Sequence, residues 1–121
     1  MQVRRPGPSI RLAVVLMLAL ALSACAETPA PEVPVADGGA PDPVLVEGRE
    51  IWQSSCARCH GGAGGGGAGP SLRGPWTPDR SPDHPTMTAI VSDGRGAMPR
   101  FGTSLSADEI EAVVRYVREV L

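Results

Sequence analysis

Lysine is absent from the 121 residues, and all eleven basic side chains are arginine. From residue 44 onward eight Arg stand against nine Asp and Glu. That near-neutral balance leaves no basic face, which excludes nucleic acid as a partner. Aromatic residues are scarce: Trp52, Trp76, Phe101 and Tyr116 are all there are. So little apolar bulk makes a self-sufficient core marginal and calls for a staple, whether disulfide, metal or cofactor. The two histidines, His60 and His84, and three cysteines, Cys25, Cys56 and Cys59, offer few metal ligands. Strand-like alternation is missing as well, so the expected class is all-α. No internal repeat is found.

Long apolar runs are also lacking. Leu12 to Leu22 is unbroken but has eleven residues, and a membrane-spanning helix needs about 20. Arg4, Arg5 and Arg11 flank this run, and small residues follow it. A positive leader, a short apolar stretch and small residues make an export signal, assigned to residues 1–24. "LSAC", Leu22 to Cys25, resembles the lipobox of bacterial lipoproteins. That resemblance implies lipidation of Cys25, which becomes the first mature residue, and a domain tethered to a membrane outside the cytoplasm.

Proline and glycine, by contrast, are plentiful, at 13 and 15 residues. Residues 26–43, "AETPAPEVPVADGGAPDP", carry no apolar period of 2 or 3.6, so nothing in them is expected to pack. Residues 25–43 are read as a lipid-anchored linker, extended by its prolines and able to reach about 55 Å. Residues 44–121 are the one domain.

Three helices are expected there. The first runs from Val44 to Ala57 with Ile51 and Trp52 inward. The second spans Thr86 to Asp93, with Pro85 suited to a first turn and Gly94 to the position past a helix end. The third opens on a capping box, Ser106 with Glu109, and a staple, Leu105 with Ile110. Ile110, Val113, Val114, Val117 and Leu121 then form one helical stripe.

The chemistry concentrates in "QSSCARCHGG", residues 53–62. A structural zinc site needs four ligands, and beyond Cys56, Cys59 and His60 the domain offers only His84. A thiol–disulfide pair normally follows a strand and opens a helix in a βαβ unit; here the pair follows a helix and runs into "GGAGGGGAG". The third reading is a covalent haem. C-x-x-C-H is an attachment signature for c-type haem, and residues three apart share one helical face. Cys56 and Cys59 then hold one ring edge, with His60 over the iron. The glycine stretch lacks the Gly-Lys-Ser/Thr ending of a phosphate loop.

Taken in order, "GREIWQSSCARCHG", "GPSLRG", "IVSDGRGAMPRF" and an amphipathic last helix resemble the small monohaem cytochrome c family over about residues 45–121. The resemblance implies an all-α domain wrapped around one haem c, with electron transfer rather than enzymatic turnover as its activity. It implies Met98, before Pro99, as the sixth iron ligand, with His84 and Met87 as rivals. It implies that the Pro70 carbonyl accepts the Nδ1–H of His60. Gly48 and Trp52 would cross the last helix near Val113 and Tyr116, and Trp76, Arg73, Arg95 or Arg100 would meet the haem propionates. The implied partners are redox proteins. A gas-binding sensor, or a haem subunit of a larger oxidase or dehydrogenase, is the alternative.

Overall fold

Asp42 and Pro43 start the first helix. The Asp42 side chain accepts the Val44 N–H at 2.9 Å, and proline at the first position has no N–H to leave unpaired. In the computed structural model, which describes residues 28–35, 38–74 and 83–121, α1 spans Pro43–Ile51. The helix does not stop there. It passes through one π turn, Trp52–Cys56, into α2, Ala57–His60. Gly61, at φ 81°, ends it. The expected helix is thus present but runs past Ala57. The export signal, Cys25 and Trp76 lie outside the described residues.

α3 spans His84–Asp93 and begins before the expected Thr86, because Asp83 caps it through the Thr86 N–H at 2.8 Å. Gly94, at φ 77°, closes it. A 3-10 turn, Phe101–Thr103, leads to α4, Ala107–Glu119. The capping box is formed. Ser106 Oγ accepts from the Glu109 N–H at 3.2 Å, and Glu109 Oε2 accepts from the Ser106 N–H at 2.7 Å. Leu105 packs against the core that holds Ile110. Among the described residues there is no strand, only an isolated bridge between Arg95 and Met98. The fold class is all-α.

The core is the seam between α1 and α4. Ile110, Val113, Val114 and Val117 are buried as the stripe requires, but Ala112 and Tyr116 are buried completely. They belong to a second face that meets α1. At Gly48 the helices touch backbone to backbone: a Cβ there would lie 2.1 Å from Ala112 O and 2.9 Å from Tyr116 Cβ. Only glycine allows this approach, and the crossing centres on Ala112 and Tyr116 rather than on Val113.

Residues 28–35 correct the expectation that nothing before residue 44 packs. Ala30 and Val33 are buried and belong to the same core. Arg49 donates from Nε to Pro31 O at 2.9 Å and from Nη2 to Ala30 O at 3.2 Å, and pairs with Glu32. Tyr116 Oη donates to Pro31 O at 2.6 Å. The physical reason is that an extended proline-rich chain keeps its carbonyls free, and two side chains of the domain use them. Such docking has no period, so no periodicity search finds it.

Candidate functional site

The π turn ends on Cys56, and α2 carries Cys59 and His60. Both thiols are unpaired and half-buried. Burial, with the Cys59 charge adding to it, pushes the Cys56 thiol up to about 11. Reactive redox cysteines are shifted the other way. Among the described residues no three His, Cys, Asp or Glu side chains are arranged to hold a metal ion.

His60 is buried. Its Nδ1 lies 2.9 Å from Pro70 O. A carbonyl only accepts, so Nδ1 carries a proton, and in the neutral ring Nε2 keeps the lone pair. The ring is fixed from two further sides. Trp52 lies 6.1 Å away, centroid to centroid, and its indole N–H is satisfied by Gly62 O at 2.7 Å. Gly69 closes the other side: a Cβ there would come within 2.8 Å of the imidazole.

The glycine-rich stretch has a structural task. The Gly66 N–H binds His60 O at 2.7 Å and the Gly69 N–H binds Cys59 O at 2.7 Å. These bonds satisfy the last carbonyls of α2 while the chain reverses through the positive φ of Gly61, Gly64 and Gly66.

Cys56, Cys59, His60, Pro70 and Met98 all line one cavity of about 560 Å³, within the range of a cofactor site. Its other surfaces are mostly apolar: Leu72, Met87, Ile90 and Val91 line it, with Val113, Val114 and Val117 from α4. Met98 is presented by a tight loop in which Arg95 and Met98 exchange backbone hydrogen bonds at 3.3 and 3.0 Å. Gly94 permits that loop, since a Cβ at its position would lie 2.7 Å from Met98 O.

Of the rivals to Met98, Met87 lines the cavity from α3 and is buried. His84 does not line it. Its Nε2 donates to Glu111 Oε2 at 2.7 Å, tying α3 to α4. Arg95 lines the cavity, while Arg73 and Arg100 do not. Sequence reasoning missed Arg58, which also lines it, and Gly69. The Gly69-Pro70 pair, ten residues after Cys59 and His60, was the available signal for both the gap and the acceptor.

Comparison with known proteins decides the family. Residues 43–117 match the family model for "Cytochrome C oxidase, cbb3-type, subunit III".

The chain belongs to this cytochrome c family.

It is 35% identical to cytochrome c6 of Leptolyngbya boryana over 58% of this chain and 85% of that protein. It is 33% identical to cytochrome c-551 of Bacillus subtilis over 71% of this chain and 78% of that one. It is 36% identical to the cbb3-type oxidase subunit FixP of Azorhizobium caulinodans, but spans only 29% of that protein. Among solved structures, cytochrome cL of Hyphomicrobium denitrificans aligns with a TM-score of 0.52 at 30% identity, over 64% of this chain and 47% of that one. This cytochrome c therefore carries one covalent haem c at Cys56, Cys59 and His60. The cavity fits it: two unpaired thiols, an imidazole with a free Nε2 and an apolar lining meet in one space.

Proposed function

We propose that the chain is a membrane-tethered monohaem cytochrome c that passes single electrons between redox proteins outside the cytoplasm. The observation that carries this reading is that His60, with Nδ1 engaged by Pro70, and the thioether of Met98 line the same apolar cavity. Cys56 and Cys59 would hold the ring through thioether bonds. Haem bound there supplies an iron centre whose two oxidation states differ by one electron. His60 offers Nε2 as the proximal ligand, and its hydrogen bond to Pro70 fixes the ring and raises its donor strength. Met98 offers a soft, neutral sulfur, which favours reduced iron and raises the potential relative to a second histidine. Two protein ligands, His60 and Met98, would suit electron transfer rather than turnover of a substrate. The apolar lining keeps water from the iron. Lipidation of Cys25 and export by residues 1–24 supply the tether, and Arg95, which lines the cavity, would meet the propionates.

A second reading has its own support: the matching family model and FixP are both named for cbb3-type oxidases. In it the chain is a haem subunit of a larger complex.

A visible spectrum with a redox titration of the purified chain tests the first reading. Met98→Ala is expected to abolish the sulfur-to-iron charge-transfer band, lower the potential and open the reduced protein to carbon monoxide. An unchanged spectrum removes Met98 as the ligand. Carbon monoxide binding by the unsubstituted reduced chain would instead favour a sensor. Copurification with other haem or copper subunits from gently solubilised membranes would favour the second reading.

A further inference from the structure

The extended segment 28–35 is held on the domain at three kinds of contact. Ala30 and Val33 are buried, Arg49 and Tyr116 bind the carbonyls of Ala30 and Pro31, and Thr28 O lies against Gly62, where a Cβ would come within 1.7 Å of it. None of these strap residues lines the haem cavity, so the strap and the haem occupy different surfaces. The strap's first described residue therefore touches the loop that follows His60. Cys25 stands three residues before Thr28. Three extended residues span at most about 11 Å, against about 55 Å for the whole of residues 26–43 if they were free and extended.

That loop is suited to a lipid surface. Residues 61–74 contain no acidic side chain and one basic one, Arg73, whose Cγ would lie 3.6 Å from a Cβ on Gly64. The nearby acid of the strap, Glu32, is paired with Arg49. Anionic headgroups are not repelled by such a face, and arginine is attracted by them.

We propose that the strap holds the domain against its own membrane, with the Thr28–Gly62 face on the anionic headgroups. The proposal rests on the tethered reading and deepens it. The partner it selects is a membrane-embedded redox protein whose electron entry or exit lies near the bilayer plane. A domain ranging on a long spacer would also serve partners far above that plane; a strapped one does not.

Two measurements test this with Val33→Asp, which places a charge in the strap's buried contact at a residue that does not itself line the cavity. First, in the Cys25→Ser chain, which has no lipid, a glutamate-specific protease is expected to cut after Glu32 about tenfold faster in the Val33→Asp background, because cleavage follows the population of undocked strap. Equal rates mean the strap is undocked and overturn the proposal. Second, the full-length chain is placed on vesicles of phosphatidylglycerol and phosphatidylcholine carrying a fluorescent headgroup. Energy transfer to the haem is expected to be strong, and to weaken in Val33→Asp. Equal transfer overturns the proposal. A mature chain whose mass shows no lipid at Cys25 overturns both the proposal and the tethered reading. Slow cleavage after Glu32 would then show that the strap still docks and that the anchor alone is at fault.

Discussion

Gly69 shows how much rests on a missing side chain. Its absent Cβ would lie 2.8–3.1 Å from three atoms of the His60 imidazole. Gly69→Ala must therefore push the ring or the loop, and overpacking of this kind costs about 1–3 kcal/mol. The expected outcome is a lower denaturation midpoint together with a shifted haem absorption band, read in one titration. A change in midpoint alone would mean that the loop yields and the imidazole stays. Gly69, Pro70 and His60 also mark how far single residues were legible. Cys56, Cys59 and His60 stand in an unbroken motif whose spacing states its chemistry. The acceptor of Nδ1 lies ten residues away, and only a family resemblance pointed to Pro70. That Arg58 lines the cavity follows from the direction of α2, which no spacing encodes.

At the scale of the elements, helix ends carry the local energetics. Ser106→Ala removes the acceptor for the Glu109 N–H and is expected to cost about 1 kcal/mol, measured by denaturant unfolding. The capping carboxylates also make stability depend on pH. Asp42 is held below the usual carboxylate range by the Val44 N–H and by Arg115, Asp83 by Thr86, and Glu109 by Ser106. A carboxyl with a depressed folded pKa adds stability that is present above its unfolded pKa. That stability is lost as pH falls through the folded value. Thermal midpoints are expected to be flat near neutrality and to decline from about pH 4 downward, with a shallower decline once Ser106 is replaced. The α1–α4 crossing is stricter. Gly48→Ala sets a methyl 2.1 Å from a backbone carbonyl, and a loss of at least about 1–3 kcal/mol is expected. The last helix was the most legible element because its cap and stripe are both local signals. The bounds of the first were less so, because the π turn hides the end of the helix inside a continuous run of helical residues.

For the molecule as a whole, the strap is the feature that changes the picture. Tyr116→Phe removes the bond to Pro31 O while leaving the ring in the core, and is expected to cost about 1 kcal/mol. In a chain that begins after residue 35 the same substitution is expected to cost close to nothing, because its partner is gone. Comparing the two in urea isolates the contribution of the strap. A stapled domain of this size gains from every added surface. Here the added surface comes from a segment whose composition reads as a free spacer.

The motif, the scarcity of other ligands and the helical periods were enough to determine an all-α domain and a single covalent haem. These are local facts: spacing along a chain places side chains on one face of one turn. Which surfaces meet was decided only in three dimensions. His84 turned to Glu111 and away from the cavity, Met98 came to the same cavity as His60, and Pro31 found Arg49 and Tyr116. Each of these joins residues far apart in the chain through single hydrogen bonds or close contacts, and such pairings leave no repeat in the sequence to read. "QSSCARCHGG" therefore names its cofactor by itself, but only the fold shows which distant side chains share its cavity.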